Sequence, residues 1–244
     1  MCALLAMAAA LCVASWPTGI VHREGGGELV VVLHGLNRTS RAMEKMAAAL
    51  AQEGYTVLNC NYPSRTASIA TLAEGVHQDI TPYLADAEAV HFVTHSMGGI
   101  VLRQMLQEHP LPNMGRAVML APPNQGSELT DALGAWRVYR WVNGPSGDEL
   151  GTTTNSIHHR LGTPEFPLGV IAGDRTLNPL YSWIIPGADD GKVAIERTKV
   201  EGMADFRCLH VTHTWMMRNP QVIRQTIHFL KNACFEPMGP EQKR

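Results

Sequence analysis

The chain has 244 residues, of which 45% are hydrophobic and 17% are charged. This balance is typical of a globular protein with a sizeable core, and it excludes a disordered chain and a coiled coil. The 20 basic and 22 acidic residues give a formal net charge of −2, which offers no support for a nucleic-acid partner. The five cysteines are scattered, without the paired spacing of a zinc site. The length suits one domain, since single α/β domains often reach about 250 residues.

The N-terminal residues form a segment of their own. Small and apolar residues run without interruption from Met1 to Ala14, and the run has ended by Pro17. It is shorter than the ~20 residues of a membrane-spanning helix and suits the apolar core of a signal peptide, although no Lys or Arg precedes Arg23. We interpret residues 1–20 as a signal peptide or an apolar N-terminal segment. The protein is exported to the periplasm or the medium in the first case and cytoplasmic in the second.

Downstream of the glycines at 25–27, strand-like stretches alternate with helix-like ones. The strands are runs of apolar, often β-branched residues, as expected for strands buried on both faces. The alternation predicts a mostly parallel sheet with helices on both faces. The predicted strands are 29–33, 55–58, 89–93, 116–121, 167–172 and 206–211, and the predicted helices begin at Thr39 or Ser40, at Ser68, at Ile100 and near Val222.

One long stretch interrupts this alternation. Residues 124–165 have weak periodicity between two predicted strands, which indicates a cap-like excursion. Its side chains Trp136 and Trp141 are expected to line or cover an apolar cleft, or else only to anchor the loop. We expect one domain over residues 21–235, with the polar residues 236–244 as a flexible tail.

The strongest chemical signal lies around Ser96, in the sequence T-H-S-M-G-G. A predicted strand runs into Ser96 and a predicted helix leaves from the glycines behind it, so the serine lies on a tight strand-to-helix turn. Such a turn points Oγ out of the sheet, and the helix N-terminus supplies a positive end and free backbone N–H groups. We therefore predict Ser96 as a nucleophile, the alternative being an ordinary serine in a turn. The adjacent His95 is expected to be a core or wall residue.

Together with this turn, three further segments and a late histidine resemble the α/β-hydrolase superfamily, and within it the bacterial lipase/esterase-like branch. The similarity covers roughly residues 29–232, and Thr94 stands where the family pattern G-x-S-x-G has its first glycine. The resemblance implies the α/β-hydrolase fold, with a mostly parallel central sheet, helices on both faces and a cap-like insertion. The further segments are L-H-G-L at 33–36, A-P-P-N-Q-G-S at 121–127 and D-G-K-V at 190–193.

The resemblance also implies an oxyanion hole. A tetrahedral acyl-transfer intermediate needs two preorganised hydrogen-bond donors for its oxyanion. In the lipases that this chain resembles, one donor is the backbone N–H after the first-strand His-Gly pair, here Leu36. The other is the N–H after the nucleophile, here Met97. By itself, the pair His34-Gly35 would indicate only a tight turn.

A serine nucleophile needs a base and a carboxylate that orients the base. His213 lies just beyond the last predicted strand, where the superfamily keeps its base, whereas His210 is expected inside that strand. The carboxylate is expected to be Asp190, in the D-G-x-V element that the resembling lipases share. Asp174, directly after the preceding strand, is the rival, although it also suits a turn that caps its own backbone or pairs with Arg175.

These residues predict a carboxylic-ester hydrolase that acts on a small-molecule or lipid ester through an acyl-enzyme. Ser96 attacks, His213 transfers the proton and Asp190 orients His213, and this chemistry requires no metal or organic cofactor. The same residues would serve an acyltransferase, or a hydrolase of lipid amides or thioesters, because a fold does not define its substrate. A non-catalytic binding member of the fold is the third class. Peripheral membrane contact stays open, and the sequence does not determine the oligomeric state.

Overall fold

The computed structural model describes residues 19–22 and 27–237. Residues 1–18 of the predicted N-terminal segment and residues 238–244 of the predicted tail lie outside the described residues. Export of the protein and flexibility of its tail therefore stay predictions. In the described ranges, no helix is both long enough and apolar enough to cross a membrane.

One sheet runs through the described part of the chain. Its strands are β1 Gly19–His22, β2 Gly27–Leu33, β3 Thr56–Cys60, β4 Ala87–His95, β5 Met114–Leu120, β6 Leu168–Gly173 and β7 Asp205–Leu209. They lie in the order β1-β3-β2-β4-β5-β6-β7, with β1 antiparallel to β3 and the six others parallel. The mostly parallel sheet is therefore confirmed. The sequence prediction lacks β1, whose four residues are too few for a periodic pattern.

Helices cover both faces of this sheet. The α-helices are α1 Glu44–Gln52, α2 Ile69–Leu84, α3 Met97–Glu108, α4 Glu128–Leu133, α5 Arg137–Asp148, α6 Pro179–Ile184, α7 Ile195–Thr198 and α8 Pro220–Asn232, with 3₁₀ turns at Ser40–Met43, Ile157–His159 and Met216–Arg218. Ser68 caps α2 as predicted, because its hydroxyl oxygen accepts a hydrogen bond from the N–H of Thr71. Helix α3 begins directly at Met97, three residues before the predicted start.

Alternation along β2 divides its side chains between two cores. Val31 and Leu33 pack with α2 and α3 on one face of the sheet, whereas Val30 and Val32 pack with α1 and α8 on the other. All four side chains are fully buried. Successive side chains of a strand point to opposite faces, so an unbroken apolar run suits a strand that is covered on both sides.

The parallel register brings the carboxyl ends of the strands to one edge of the sheet. Leu33 of β2 pairs with Thr94 of β4, and Gly173 of β6 pairs with Leu209 of β7. The loops that follow these four strands therefore leave from the same edge. This is the edge at which open α/β sheets bind their ligands.

A buried arginine ties the excursion at 124–165 to the domain. Arg103 of α3 donates to the backbone carbonyl and the side-chain oxygen of Asn124, at 3.3 and 3.1 Å. It also donates to the carbonyls of Leu161 and Gly162, at 3.3 and 3.1 Å. Burial lowers the pKa of Arg103 to about 10, so the guanidinium stays charged at neutral pH. Both ends of the excursion, which carries α4 and α5, are thus held by one side chain.

Candidate active site

Ser96 lies on a strained turn between β4 and α3. Its φ and ψ of 54° and −127° fall in a region that residues other than glycine rarely adopt. The N–H of Ser96 donates to the carbonyl oxygen of Leu120 in the neighbouring strand at 2.8 Å, which holds the turn against β5. The serine thus lies where the sequence predicted it, between a parallel strand and a helix.

The turn requires small residues around it. A Cβ atom on Gly98 would lie 2.7 Å from the carbonyl oxygen of His34, closer than real Cβ contacts. Thr94, which replaces the first glycine of the family pattern, is fully buried. Its Oγ1 atom lies 3.3 Å from the position that a Cβ on Gly99 would take. Threonine therefore fits at this position because Gly99 leaves room for it.

His213 joins Ser96 and Asp190 in a continuous chain of hydrogen bonds. Its Nε2 lies 3.0 Å from Ser96 Oγ, and its Nδ1 lies 2.7 Å from Asp190 Oδ2. Asp190 and His213 are only 2% and 4% exposed. When Nδ1–H donates to the carboxylate, Nε2 is left free to accept the serine proton. The structure thus brings together the three residues predicted as nucleophile, base and orienting acid.

The turn at Gly191 aims the carboxylate of Asp190. Gly191 has a φ of 95°, which glycine adopts without the strain of a side chain. The chain folds back there, so that the N–H groups of Lys192 and Val193 donate to Asp190 Oδ1 at 3.0 and 2.9 Å. These two bonds occupy one carboxylate oxygen and leave Oδ2 for the ring of His213. The N–H of His213 also donates to the Asp190 carbonyl at 3.0 Å, which joins the two loops.

The two rival residues pair with each other away from Ser96. Asp174 Oδ1 lies 2.8 Å from His210 Nδ1, and the two side chains are 40% and 70% exposed. Neither structural role suggested for Asp174, a cap of its own backbone or a pair with Arg175, is found among the described residues. The prediction of a strand over 206–211 is also too long, because the chain turns after Leu209, whose carbonyl accepts a hydrogen bond from the N–H of Val211. His210 consequently lies on the surface.

His95 supports the loop that carries His213. Its Nε2–H donates to the backbone carbonyl of His213 at 3.0 Å, and the two rings lie 4.8 Å apart. Burial, and then the nearby charge of His213 when protonated, lower the pKa of His95 well below its usual value, so the ring is neutral at neutral pH. The sequence predicts a core or wall residue. Its contact with His213 has no sequence signal, because the two residues are 118 positions apart.

His34 and Tyr62 hold the turn that carries Leu36. The two rings stack at 4.2 Å, and the N–H of Tyr62 donates to His34 Nε2 at 3.3 Å. The Tyr62 hydroxyl donates to the His34 carbonyl. Leu36 follows on this turn and lines the same cavity as Ser96. Within the described residues, neither the N–H of Leu36 nor that of Met97 donates a hydrogen bond, so both are available to a ligand.

The free energy of unfolding is expected to fall as the pH is lowered, because His34 is buried. Burial lowers its pKa from 6.5 to about 4, against the smaller opposing effects of its hydrogen bonds to Gly35 and Tyr62. The unfolded chain therefore binds a proton that the folded chain rejects, so this stabilisation is complete above pH 6.5 and is lost as the pH falls towards 4. We expect the titration of His34 alone to lower the free energy of unfolding by about 3 kcal/mol over this interval.

Urea unfolding at several pH values measures this drop, and His34→Gln supplies the comparison. The variant is expected to show a shallower dependence on pH over the same interval, since it lacks the titrating ring. An equal slope in both proteins would assign the acid sensitivity to other groups.

Ser96 and His213 lie in the wall of a cavity of about 790 Å³. Most of its lining is apolar, and two segments supply it: the excursion, with Leu129 and Leu133, and α6, with Leu180. The sequence prediction includes only the first segment. The signal for the second is the apolar sequence P-L-Y-S-W-I, which occupies the long connection between β6 and β7.

The two tryptophans of the excursion have different surroundings. Trp136 lines the cavity and is 66% exposed. Trp141 lies in a separate surface groove, where the guanidinium of Arg65 is 5.9 Å from its ring. The prediction that these tryptophans line the apolar cleft is therefore confirmed for Trp136 and wrong for Trp141. Helix α5 turns Trp141 away from the cavity.

A second group of titratable side chains lies between α2 and α3. The rings of His77 and His109 stack at 3.9 Å, and His109 Nε2 lies 2.7 Å from a carboxylate oxygen of Glu74. Across residues 19–22 and 27–237, no three His, Cys, Asp or Glu side chains are arranged to hold a metal ion. We interpret this group as a surface hydrogen bond between His109 and Glu74, with the ring of His77 stacked on that of His109.

The parallel sheet with helices on both faces is an α/β-hydrolase fold. A model of the alpha/beta hydrolase family matches residues 30–225. The chain belongs to this family. No curated protein sequence matches it.

Solved structures with the same fold include proteins named as lipases and one named as a phospholipase. The mature lipase BlEst2 of Bacillus licheniformis aligns with a TM-score of 0.64 and 18% identity, over 87% of this chain and 95% of that one. Phospholipase PlaB of Legionella pneumophila, in complex with thio-NAD, aligns with a TM-score of 0.66 and 18% identity, over 82% and 56%. Lipase B of Aspergillus fumigatus aligns with a TM-score of 0.60 and 16% identity, over 88% and 54%. The chain thus spans about half of the last two proteins, and identities this low show a common fold.

Proposed function

We propose that this protein is a serine hydrolase that cleaves carboxylic esters, including lipid esters, through a covalent acyl-enzyme. The observation that carries the proposal is the hydrogen-bonded chain from Ser96 through His213 to Asp190 in the wall of a largely apolar cavity. Membership of the alpha/beta hydrolase family supports a hydrolase. The names of similar structures, a lipase and a phospholipase, favour an ester as the substrate.

The first half of the reaction acylates the serine. Ser96 Oγ attacks the carbonyl carbon of the ester while His213 Nε2 takes the hydroxyl proton. The carbonyl oxygen becomes an oxyanion, to which the N–H groups of Leu36 and Met97 donate. When the tetrahedral intermediate collapses, the bond to the alcohol oxygen breaks and His213 returns its proton to the leaving alkoxide. Asp190 stabilises the imidazolium through Nδ1–H and does not itself take the proton.

The second half releases the acid. A water molecule attacks the carbonyl carbon of the acyl-enzyme, and His213 Nε2 takes one proton from it. The second tetrahedral intermediate collapses with cleavage of the bond to Ser96 Oγ, which receives the proton from His213. The products are a carboxylic acid and the free enzyme, so no other reactant is needed.

Exposed apolar side chains at the cavity support a lipid ester as the substrate. Trp136, Val138 and Leu180 line the cavity and are 66%, 71% and 76% exposed. Trp183 of α6 is 90% exposed. Exposed apolar patches mark surfaces that contact a ligand, a membrane or another protein. We include peripheral contact with a lipid surface in the proposal, because a lipid ester presented there would meet these side chains first.

A serine-reactive fluorophosphonate probe and a series of p-nitrophenyl esters from acetate to palmitate test this function. The probe is expected to label Ser96, located by mass spectrometry, and the esters are expected to be hydrolysed. Absence of both labelling and hydrolysis in folded protein would instead favour a non-catalytic binding role. Products are also compared with and without an acceptor alcohol, because formation of a new ester in place of free acid would show an acyltransferase. Cleavage of amides or thioesters but not of esters would likewise contradict the proposal.

Trp136 is expected to influence the preference for acyl-chain length. Trp136→Ala removes part of the cavity wall, so kcat/KM for long-chain esters should fall about 5-fold relative to acetate, given the modest burial of this ring. Trp141→Ala is the matched control, since it removes a similarly exposed tryptophan of the same excursion from outside the cavity. An unchanged chain-length profile in Trp136→Ala, or an equal change in both variants, would contradict this assignment.

A further inference from the structure

Two cationic side chains line the cavity beside the reacting groups. Arg38 follows the turn that carries Leu36, and Lys192 follows the turn that carries Asp190. Both are lining residues of the cavity that contains Ser96. No Asp or Glu is among the residues that line it, so the described wall of the cavity has a net positive charge.

Neither cation is neutralised by the protein. Within the described residues, the side chains of Arg38 and Lys192 form no ion pair and no hydrogen bond. Asp190 is the acid whose charge acts on Lys192, but both of its carboxylate oxygens already accept hydrogen bonds, from His213 Nδ1 and from two backbone N–H groups. The two positive charges therefore remain available to an anion.

The charges of these two cavity-lining cations act on each other and on the histidine that supports His213. Desolvation, and then the charge of Arg38, lower the pKa of Lys192. Arg38 and Lys192 also both contribute to the lowered pKa of His95, whose ring contacts His213. Two like charges on a partly desolvated wall repel each other, which costs free energy while the site is empty. A bound anion would offset this cost.

We propose that Arg38 and Lys192 select esters whose alcohol part carries an anionic group, such as a phosphate or a carboxylate, within a few bonds of the scissile ester. This proposal rests on the proposed ester hydrolysis and names the substrate class of that site. The apolar walls from the excursion and α6 suit an acyl chain, whereas the cations come from the loops that carry the oxyanion donor and the triad acid. The anionic group of the substrate is therefore expected close to the scissile ester bond, on the alcohol side of that bond.

Three soluble esters with the same acyl chain test the selection. They are 1-octanoylglycerol, which is neutral, 1-octanoylglycerol 3-phosphate, and 3-O-octanoylglycerate, which carries a free carboxylate. Each cation is expected to contribute about 5-fold to kcat/KM, the upper range for partly exposed charge pairs, so the wild type should favour the phosphate ester over the neutral one on the order of 20-fold. The preference should shrink as salt is added, because salt screens exposed charges. The carboxylate ester shows whether the site needs a phosphate or accepts any anion.

Arg38→Gln and Lys192→Gln are each expected to lower the ratio of kcat/KM between the phosphate and neutral esters by about 5-fold. The backbone bonds of Lys192 do not involve its side chain, so the turn at Asp190 is retained. Lys45→Gln is the matched control: it removes the same charge from an exposed position on α1, outside the cavity, and should leave the ratio unchanged. Circular dichroism and thermal unfolding establish that each variant is folded.

Hydrolysis of the neutral ester separates this inference from the function on which it rests. If the neutral ester is hydrolysed in a Ser96-dependent manner but all three esters give equal kcat/KM, the ester hydrolase stands and the selection by charge is wrong. A phosphate preference that survives in both cavity variants, or that falls equally in Lys45→Gln, would also overturn it. If no ester is hydrolysed by the wild type, the proposed function itself fails.

Discussion

Replacing Ser96 with alanine is expected to lower kcat for ester hydrolysis by about 10⁶-fold, the order of magnitude lost when a serine protease loses its nucleophile. Among the described residues, the side chain of Ser96 makes one hydrogen bond, to His213 Nε2, so its loss should leave the fold intact. Turnover of a p-nitrophenyl ester measures the effect, and circular dichroism with thermal unfolding establishes folding. Residual hydrolysis would then reflect binding and the oxyanion donors alone.

Ser40→Ala is the matched control for this experiment. Ser40 lies in a 3₁₀ turn after β2, and it does not line the cavity. Its kcat should match that of the wild type. A folded Ser96→Ala protein with wild-type turnover would remove Ser96 as the nucleophile, and an equal loss in both variants would indicate a general structural defect.

Asp190→Asn is expected to lower kcat by about 10⁴-fold, as in a serine protease whose triad carboxylate becomes an amide. The amide oxygen can still accept the hydrogen bonds from the N–H groups of Lys192 and Val193 that now end on Oδ1. Its NH₂ group then faces His213 Nδ1 and, as a donor, favours the tautomer that carries its proton on Nε2. In that tautomer His213 cannot accept the proton of Ser96, so the turn is preserved while the base is disabled.

Asp174→Asn is the matched control for the acid. Its carboxylate pairs with His210 at the surface, and neither residue lines the cavity. We expect kcat close to wild type for this variant, with folding established in the same way. A severe defect in Asp174→Asn together with a mild one in Asp190→Asn would reverse the assignment.

The strands and the serine turn follow from neighbouring residues in the chain. An unbroken apolar run at 29–33 predicts a strand covered on both faces, and the structure contains β2 there. The strand that runs into Ser96 and the glycines directly behind it likewise predict the turn that the structure shows. Such elements are predictable because backbone periodicity and steric crowding depend on residues close in sequence.

The set of residues that line the cavity is much less predictable from the sequence. Weak periodicity in 124–165 indicates an excursion, but it does not show that Trp136 faces the cavity while Trp141 packs on Arg65. Nor does any pattern place α6, or the cations Arg38 and Lys192, in the same wall as Ser96. These are contacts between segments far apart in the chain, and their side chains need follow no period.

By itself, the sequence determined the α/β class and the serine on its turn, and it favoured His213 over His210 and Asp190 over Asp174. Only the tertiary structure decided which candidates meet. A hydrogen bond depends on the direction of a side chain as well as its place along the chain. The φ of 95° at Gly191 and two backbone N–H groups on Oδ1 point the free oxygen of Asp190 at His213. The turn after Leu209 leaves His210 in solvent, where it pairs with Asp174. Backbone hydrogen bonds from the N–H groups of Asp174 and Arg175 to the carbonyls of Leu209 and Val211 hold this turn against the chain that follows β6.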